Sequence, residues 1–448
     1  MKLSTFNIVA RTGDGNRVLS NSVTGGACVI SEKHYNMVRK SLGGKLTNEE
    51  VEALTKDLRK GGFIVDNDVD ELTRVKYLSH YGAYKGDYLD LRILPTEQCN
   101  FRCAYCYESF EKGEMTPEIR GRIKLLLEKK APHIKRLFLG WFGGEPLIAI
   151  DTISDLSETI LELKGRFDFR YESNITTNGF FLSGETMSKL LLFGIKRVQV
   201  TIDGNKDEHD ERRKLLNGGR TFDVIMDNLR AIKGLNDDFD FTVRINFDMG
   251  NTGSIYNFLD LLRNILVGDK RFAVFFRSVS NWGGPNNEIE KLALVPSEKS
   301  IMMQLKFQEE ALRKGLRVAN ASVMPKLNSF LCYAALPHSF TIGSDGTVYK
   351  CTIYFGHDIN KIGYVDEKGT LKLDVNKVAQ WVGYKGDDDS HCQKCVLLPS
   401  CQKNSCPAVR LTMKTRPCAL SIKDAKEGLR LLYRTDNKIR KEGKHALS

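Results

Sequence analysis

The fold is decided by one short stretch, which reads Cys99-Asn100-Phe101-Arg102-Cys103-Ala104-Tyr105-Cys106. Its cysteines are separated first by three residues and then by two. A tetrahedral zinc site, or an iron–sulfur cubane bound only by protein, takes four ligands. Three thiolates therefore leave one iron of a [4Fe–4S] cluster open, and an open metal position is where a small molecule can bind and react. The alternative is that the cysteines are unrelated or form part of a zinc site.

This spacing resembles the CxxxCxxC motif of the radical S-adenosylmethionine (SAM) enzymes. The resemblance implies a [4Fe–4S] cluster on Cys99, Cys103 and Cys106, with SAM chelating the remaining iron. It also implies that the reduced cluster cleaves SAM to a 5′-deoxyadenosyl radical, which abstracts hydrogen from a substrate. The segment Gly143-Gly144-Glu145-Pro146 matches the family's GGEP motif, whose backbone and carboxylate bind the SAM amino group. Glycines allow close approach of a ligand, and a carboxylate suits an ammonium, although Gly-Gly-Pro also forms simple turns.

Composition places the chain among ordinary globular proteins. Its 448 residues suffice for two or three domains, and 41% are hydrophobic and 27% charged. No apolar run approaches the roughly 18 residues that a membrane span needs, and no signal peptide is recognisable, so we expect a cytoplasmic protein without membrane contact. The net charge of +11 is compatible with binding of an acidic peptide or of nucleic acid, and equally with a basic surface that is merely solvated. No RNP1-like or RGG stretch supports nucleic acid.

The cysteine distribution predicts metal rather than disulfides. Ten of the eleven cysteines fall into three groups, and Cys28 stands alone as a predicted buried thiol. Clustered cysteines in a long cytosolic chain are typical of metal sites.

Residues 1–88 predict a small N-terminal module. Strands are expected at 6–10 and 63–65, and helices at 31–42 and after a capping box formed by Thr47 and Glu50. The second helix has its apolar stripe at Val51, Leu54 and Leu58. This order is compatible with a winged-helix-like module that binds a peptide by adding a strand to a sheet edge. A structural cap on the next domain is an equally good interpretation.

Residues 89–320 predict alternating strands and helices. Strands are expected at 89–94, 137–142, 171–176, 197–202, 242–247 and 273–276. Helices are expected at 153–163, 185–193, 222–232 and 256–266, with another that Thr116 caps. Such alternation implies a parallel sheet with its chemistry at the carboxyl ends of the strands. Six strands fit the partial (β/α)6 barrel of the radical SAM family, an α/β fold.

The resemblance also implies which residues contact SAM. The expected SAM-binding residues are Tyr105, Gly143, Gly144, Glu145, Pro146, Thr177, Asn178, Thr201, Asp203 and Arg213. Arg212 is an alternative to Arg213, because either guanidinium can pair bidentately with the methionyl carboxylate. Arg244 and Asn246 end the fifth strand and are expected at the same cavity. Asn-Gly and Asp-Gly pairs are also ordinary turns.

Residues 321–420 carry a second field of seven cysteines. The spacings C-x13-G-x4-C and C-x2-C-x5-C-x4-C, followed by a last cysteine, resemble the SPASM domain with its two auxiliary [4Fe–4S] clusters. The final spacing is one residue longer than the commonest form, which loosens the assignment of Cys406. One cluster is then expected on Cys332, Cys351 and Cys406, and the other on Cys392, Cys395, Cys401 and Cys418. The fourth ligand of the first cluster is another residue or the substrate, and zinc is the alternative for the whole field.

Two further elements are predicted near the carboxyl end. An Asp-Gly turn predicts a hairpin over 339–350, which would bring Cys332 and Cys351 together. Residues 421–448 predict a basic helical tail, with eight Lys or Arg against four acidic residues.

A radical SAM barrel followed by SPASM resembles two groups of enzymes. One group comprises maturases that install thioether, ether or carbon–carbon cross-links in ribosomally made peptides, or epimerise residues, using an external electron donor such as flavodoxin or ferredoxin. The other comprises anaerobic sulfatase-maturing enzymes, in which an Asp base directly follows the second SPASM cysteine. Thr352 occupies that place here, and the N-terminal module resembles leader-peptide recognition elements, so the first group is favoured.

Other hypotheses stay open at this point. A radical SAM enzyme acting on a non-peptide substrate, or a non-catalytic iron–sulfur or zinc protein that binds nucleic acid, also accommodates the cysteines. The sequence identifies no general base.

Overall fold

The computed structural model describes residues 1–43, 49–319, 325–383 and 389–435. The chain divides into two compact units, neither of which is continuous in sequence. The first unit comprises the described residues of 1–84, 320–336 and 381–448, and the second comprises 85–319 and 337–380. The sequence-based boundaries after residues 88 and 320 lie close to two of these divisions. No helix among the described residues is long and apolar enough to cross a membrane.

The N-terminal part of the first unit combines two small antiparallel sheets with three helices. Strand β1 (Lys2–Leu3) pairs with β5 (Ile64–Val65). A three-stranded sheet consists of β2 (Asn7–Arg11), β3 (Asn16–Asn21) and β4 (Ala27–Ser31). The helices are α1 (Glu32–Leu42), α2 (Glu49–Lys60) and α3 (Glu71–Tyr84).

The predicted elements of this region are confirmed, but the prediction was incomplete. Ser31 caps α1 by accepting a hydrogen bond from the His34 amide, and the stripe of Val51, Leu54 and Leu58 is buried. Sequence reasoning missed β3, β4 and α3. Thr47, the predicted cap of α2, lies outside the described residues. The winged-helix-like identity of the module stays a prediction.

The second unit is built on a parallel sheet of six strands, as predicted. Its spatial order is β13-β12-β10-β9-β8-β6. The strands are β6 (Tyr88–Ile93), β8 (Arg136–Trp141), β9 (Arg170–Thr177), β10 (Ile195–Thr201), β12 (Asp240–Phe247) and β13 (Phe272–Ser278). Two short strands, β7 (Phe101–Cys103) and β11 (Arg213–Leu215), pair with each other outside this sheet.

Helices alternate with these strands because apolar residues recur at helical spacing and face the sheet. They are α4 (Pro117–Lys130), α5 (Ile150–Arg166), α6 (Gly184–Leu192), α7 (Lys206–Arg212), α8 (Phe222–Lys233), α9 (Thr252–Leu266) and α10 (Ser297–Arg313). Thr116 caps α4 as predicted, and Ile123 on its inner face is fully buried. The carboxyl ends of the six parallel strands meet at one edge, which receives the loops of the site.

The sheet continues beyond the predicted barrel. Strand β14 (Ser339–Ile342) pairs parallel with β6, and three antiparallel strands follow. These are β15 (Thr347–Tyr349), β16 (Lys361–Val365) and β17 (Leu371–Leu373). The predicted hairpin is therefore confirmed as β14–β15, but it belongs to the ten-stranded sheet of the second unit. Helix α11 (Val375–Val382) ends this unit.

The carboxyl-terminal part of the first unit is helical. Its helices are α12 (Ser390–Gln393), α13 (Leu398–Cys401), α14 (Pro407–Met413) and α15 (Ile422–Thr435). Helix α15 packs on β2 and β3, where the Arg430 guanidinium donates to the Arg11 carbonyl. The predicted helical tail is confirmed to Thr435, and the rest of it lies outside the described residues.

Candidate radical SAM site

The first cysteine group lies in the loop that leaves the carboxyl end of β6. Cys103 is buried, whereas Cys99 and Cys106 are half-buried. Antiparallel pairing of β7 with β11 places Cys103 directly opposite Arg213. Burial raises the pKa of the Cys103 thiol, and the Arg213 guanidinium acts in the opposite direction. The loop thus combines three thiols with a cation that favours their ionised form.

The two glycines of the GGEP segment hold this loop in place. A Cβ on Gly143 would lie 2.3 Å from the Thr96 carbonyl oxygen, and one on Gly144 would lie 2.2 Å from that of Gln98. Gly143 also has a φ of +119°, which favours glycine. The Glu145 amide donates to the Gln98 carbonyl at 2.9 Å. The sequence predicted that these glycines allow a ligand to approach. In the structure they also allow the loop after β8 to pack on the backbone that precedes Cys99.

Glu145 is completely buried and connects two strand ends. Its carboxylate accepts hydrogen bonds from the Thr177 hydroxyl at 2.7 Å and from the amides of Asn178 at 2.6 Å and Leu147 at 3.0 Å. Burial raises the pKa of Glu145, while the Asn178 amide and the Thr177 hydroxyl oppose the rise. Three donors stabilise the ionised form, and Pro146 begins the short 3₁₀ helix that follows. The role of Glu145 toward the SAM amino group remains a prediction.

Asn178 links the third strand end to the cysteine loop. Its amide nitrogen donates to Asn100 Oδ1 at 2.7 Å and lies 3.9 Å from Cys99 Sγ. The position of this side chain after β9 therefore fixes the first cysteine as well as the strand end.

Tyr105 is the centre of a buried polar group that spans three strand ends. Its hydroxyl donates to Asp203 Oδ2 at 2.5 Å and accepts from Arg213 Nη1 at 2.8 Å and from Asn246 Nδ2 at 3.0 Å. Arg244 Nε donates to Asn246 Oδ1 at 2.8 Å. Burial raises the pKa of Asp203, and the Arg213 charge and the Tyr105 hydroxyl oppose it. The structure thus brings together residues that the sequence placed on separate strands.

The two adjacent arginines differ in their protein partners. Arg212 makes a bidentate ion pair with the fully buried Asp248, with N–O distances of 2.6 and 3.0 Å. Arg213 instead joins Tyr105, and its Nε has no hydrogen-bond partner among the described residues. Arg213 is therefore the arginine available to a ligand. Thr201, at the end of β10, is buried beside Arg244 across the sheet.

Sequence reasoning missed a hydrogen-bonded chain beneath Asp203 and Arg213. The Asp203 amide donates to His209 Nδ1 at 3.2 Å, and His209 Nε2 lies 3.1 Å from the Thr221 hydroxyl. That hydroxyl donates to the Arg213 carbonyl at 2.8 Å. Burial holds the pKa of His209 well below its usual value, so the imidazole is neutral and its Nε2–H donates to Thr221. No sequence motif marks this contact.

The residues present fit a cluster with SAM. Besides Arg213 Nε, the buried Asp203 Oδ1 and Asn100 Nδ2 have no hydrogen-bond partner among the described residues. Buried polar atoms normally have partners, so these three mark places where a polar ligand completes the site. Three thiols, a carboxylate, a guanidinium and an amide match the charges and donors of an iron–sulfur cluster and an amino acid.

The second cysteine field is divided between the two units. Cys351 lies in the second unit, whereas Cys332 and Cys406 lie in the first. The Cys332 amide donates to the Asn404 carbonyl at 3.0 Å, which holds Cys332 beside the segment that contains Cys406.

Four other cysteines of the first unit form one electrostatic group. Burial is the main cause that raises the pKa of Cys401 to about 11, and the nearby Cys395, Cys392 and Cys418 act in the same direction. No disulfide links any of the chain's cysteines. No set of three or more Cys, His, Asp or Glu in the described ranges is spaced to hold a single metal ion. The cluster ligands named from the sequence stay predictions.

A cavity of about 470 Å³ lies in the second unit beside the cysteine loop. Its walls come from parts of segments 107–112, 282–285 and 353–357, together with Glu97, Tyr349 and Lys361. The first of these segments follows Cys106, and the last follows Cys351. We call this space the loop cavity.

Glu108 is the most unusual titratable group of the loop cavity. Its side chain is buried, and its Oε1 has no hydrogen-bond partner among the described residues. Burial raises the pKa of the Glu108 carboxyl to about 8, and the neighbouring Glu97 carboxylate acts in the same direction. Sequence reasoning did not single out Glu108, because a glutamate two residues after a cysteine carries no motif.

Comparisons with known proteins agree with this geometry. Residues 93–252 match the Radical SAM superfamily. The cysteine-type anaerobic sulfatase-maturating enzyme of Clostridium novyi (strain NT) is 24% identical over 343 residues, which are 70% of this chain and 87% of the relative.

Two solved structures share the fold. A structure of native anSMEcpe with bound AdoMet and Cp18Cys peptide matches with a TM-score of 0.57 at 17% identity, covering 80% of this chain and 99% of that one. Streptococcus suis SuiB matches with a TM-score of 0.51 at 14% identity, covering 90% of this chain and 95% of that one. The chain therefore contains a radical SAM domain over residues 93–252 and shares its fold with anSMEcpe and SuiB.

Proposed function

We propose that the chain is a peptide maturase, which abstracts hydrogen from a residue of a ribosomally made precursor peptide and oxidatively forms a thioether, ether or carbon–carbon cross-link. The observation that carries the proposal is the loop cavity, because the segments after Cys106 and after Cys351 both line it. A substrate in this space would therefore contact the segments that directly follow a SAM-site cysteine and a predicted auxiliary-cluster cysteine. The relative whose structure holds a peptide shares the fold and so supports a peptide substrate.

The proposed cofactors follow from the residues of the site. Cys99, Cys103 and Cys106 hold the [4Fe–4S] cluster, which together with SAM supplies a hydrogen-abstracting carbon radical. Arg213 pairs with the SAM carboxylate, because its Nε has no hydrogen-bond partner among the described residues. Arg212 is the weaker candidate, because its guanidinium is already paired with Asp248. The Tyr105 hydroxyl binds both Arg213 and Asp203 and so fixes their positions relative to each other. Burial of the whole group excludes water from the reaction.

The auxiliary clusters are part of the same proposal. Cys392, Cys395, Cys401 and Cys418 are assigned to one cluster, and their mutual electrostatic influence supports the grouping. Cys332, Cys351 and Cys406 are assigned to the other, whose fourth ligand is another residue or the substrate. Such clusters accept the second electron of the oxidation, and a flavodoxin or ferredoxin supplies the first reduction.

The N-terminal module is proposed to hold the leader of the precursor peptide. In the described part of the chain, β1 and β5 pair only with each other, so this two-stranded sheet has edges to which an extended peptide can add. A cavity of about 320 Å³ beside β5 is lined in part by Arg59, Lys60 and Arg74. Asp66 and Glu71 share this wall and Arg59 pairs with Asp66, so the cations that suit an acidic leader are Lys60 and Arg74.

Formylglycine formation on a serine or cysteine is the second candidate. The relative from Clostridium novyi carries that type of name and is matched over most of its length, which favours it. Against it, Thr352 stands where the sulfatase-maturing group has its Asp base, and a threonine hydroxyl is a far weaker base than a carboxylate.

Tandem mass spectrometry separates these reactions. The protein is reconstituted with iron and sulfide under anaerobic conditions and incubated with SAM, a reductant and the peptide encoded beside its gene. A cross-linking maturase removes two hydrogens and suppresses fragment ions between the linked residues. A free aldehyde identifies formylglycine chemistry instead: from serine it forms with loss of two hydrogens, and from cysteine loss of two hydrogens gives a thioaldehyde that water hydrolyses with release of hydrogen sulfide. An unmodified peptide beside active SAM cleavage rejects the peptide.

A further inference from the structure

The two faces of the six-stranded parallel sheet carry different kinds of side chain. Along the strands, apolar and completely buried residues such as Leu91, Val243 and Val274 alternate with polar residues that are mostly half-buried. The strand register places this second set together on one face, which we call the polar face. A packed barrel interior consists mainly of branched apolar residues, so the polar face is a surface for polar groups rather than a core.

The charges of the polar face are balanced at all but one of its inner positions. Its charged residues that are at least half-buried are Asp90, Arg92, Glu172, Arg197 and Arg244. Arg92 lies 2.7 Å from Asp90, and Arg197 lies 2.8 Å from Glu172. Arg244 makes no ion pair within the ranges that the structure describes. It is therefore the one inner guanidinium of this face without a carboxylate of the chain.

The surroundings of Arg244 do not make up for this. Burial and the neighbouring charge of Arg277 lower the pKa of Arg244, while Tyr105 and Asp203 are among the groups that oppose them. The Asp203 carboxylate already accepts from the Tyr105 hydroxyl, and Arg213 acts on the pKa of Asp203 more strongly than Arg244 does. A cation that is withdrawn from water without an anion is costly, so the position suits an anion from outside the chain.

Hydrogen bonds fix Arg244 beside the cysteine loop. Its Nε donates to Asn246 Oδ1 at 2.8 Å, and Asn246 Nδ2 donates to the Tyr105 hydroxyl at 3.0 Å. Tyr105 directly precedes Cys106, one of the proposed cluster ligands. The bond from Nε is the one hydrogen bond that Arg244 makes with the described residues, so its two Nη groups keep their donors. Two parallel N–H donors of a guanidinium match the two oxygens of a carboxylate.

We propose that Arg244 binds a carboxylate of the substrate, namely the side chain of an aspartate or glutamate in the precursor peptide. The carboxylate of SAM is the competing anion, and Arg213 is assigned to it above. An acidic residue held by Arg244 places its neighbours in the peptide next to the cysteine loop, where hydrogen abstraction is proposed. This inference rests on the proposed function and adds the chemical class of the residue that the site recognises.

The test uses two pairs of end-blocked tripeptides whose members differ in charge and hardly in size. The reconstituted full-length protein with SAM is titrated by calorimetry with acetyl-Gly-Asp-Gly-amide and acetyl-Gly-Glu-Gly-amide and with their Asn and Gln counterparts. We expect the acidic member of at least one pair to bind about tenfold more tightly than its amide. Arg244→Gln should reduce this preference to within about twofold. The control Arg230→Gln removes an exposed positive charge on α8 that pairs with Asp227, and it should keep the preference.

Equal binding within both pairs by the unaltered protein, or no binding of any probe, overturns the proposal, and neither result depends on the folding of a variant. An undiminished preference in Arg244→Gln, with unchanged iron content, also overturns it. Equilibrium dialysis with SAM alone gives a further check. SAM binding that is at least about tenfold weaker in Arg244→Gln, again with unchanged iron content, would assign this guanidinium to the SAM carboxylate and overturn the proposal.

The same experiments keep this proposal apart from the proposed function. A precursor peptide that is modified while the members of each pair bind equally removes the carboxylate subsite and leaves the maturase function. Probes that discriminate while no peptide is modified remove the maturase function and keep the subsite.

Discussion

The two cysteine regions of the chain differ in what holds them. The first, residues 95–106, adjoins β6 and is fixed by backbone pairing with β11, by close contact with Gly143 and Gly144 and by the side chain of Asn178. The second, residues 389–418, begins with two helices of only four residues each.

The second region also contains non-glycine residues in an unfavourable backbone conformation. Gln402, Lys403 and Lys414 have φ values of 49°, 55° and 52°, in the left-handed region that non-glycine residues rarely adopt. Ion pairs from Lys403 and Arg416 to Asp389 hold part of the region together. The comparison teaches that protein contacts preorganise the first region, whereas the proposed cluster would have to supply much of the order of the second.

The largest expected effect comes from breaking the first region. Gly144→Ala places a Cβ against the Gln98 carbonyl, so the cysteine loop must shift. We expect SAM cleavage to fall at least about a hundredfold, because displacements of an ångström are that costly in an active site. The control is Gly121→Ala in α4, whose Cβ meets no atom within 4 Å. It should leave cleavage unchanged, and wild-type cleavage by Gly144→Ala would refute the close-packing role.

Iron removal sharpens the comparison. After chelation, we expect hydrogen-exchange protection of α12, α13 and α14 to fall by about tenfold or more, because cluster binding and local folding are coupled there. Strands β6, β8 and β9 should keep their protection. Equal loss of protection in both regions would show that the first is not preorganised.

Substitutions of the adjacent arginines Arg212 and Arg213 are expected to affect different properties, protein stability and SAM binding respectively. Arg213→Ala should weaken SAM binding by about tenfold or more, as measured by equilibrium dialysis. Arg212→Ala leaves the buried Asp248 charge unpaired, so we expect a loss of about 3–5 kcal/mol in the free energy of unfolding. An unchanged SAM dissociation constant in Arg213→Ala would remove Arg213 from the site.

His209 gives a smaller effect that depends on pH. Its pKa is depressed in the folded protein, so below about pH 6.5 the unfolded chain binds a proton that the folded chain does not. Stability should therefore fall with decreasing pH by up to about 1.4 kcal/mol per unit from this group. His209→Asn should flatten the pH dependence of urea unfolding between pH 6.5 and 5. An equally steep profile in the variant would mean that His209 is not buried as a neutral ring.

The smallest effect concerns α15, which follows the second cysteine region. Tyr433 donates to Asp14, and with the Thr12 hydroxyl this lowers the pKa of Asp14 to about 2. The ionised Asp14 therefore contributes to the free energy of unfolding at pH values above its unfolded pKa of about 4. This contribution is lost as the pH falls through about 2. Tyr433→Phe should cost less than about 1 kcal/mol at pH 7 and nothing at pH 2. A cost that persists at the lower pH would assign it to packing.

The sequence predicted the alternating core of the second unit because its strands and helices carry strong, distinct periodicities. It also predicted which residues gather at the strand ends, since parallel strands place their carboxyl ends together. It did not predict β3 and β4, although Asp14-Gly15 and Gly25-Gly26 are hairpin signals in front of them. It also did not predict the continuation of the sheet into β14, which depends on pairing between residues about 250 apart.

Contacts between distant residues also escaped prediction at the site. The His209–Thr221 chain and the bidentate pair of Arg212 with Asp248 involve ordinary residues that no spacing marks. The close approach of Gly144 to Gln98 likewise needs two loops that only the folded sheet brings together. Motifs therefore identify the chemistry, and packing decides which neighbours position it.

The central proposal, that the protein uses its radical SAM domain to take hydrogen from a peptide, is tested most directly with a deuterated precursor. The reconstituted protein is incubated with SAM, a reductant and the peptide encoded beside its gene, deuterated at all carbon positions, and the 5′-deoxyadenosine is analysed by mass spectrometry. The account predicts one deuterium in that product. Unlabelled 5′-deoxyadenosine, formed at the same rate with and without the peptide, would contradict it.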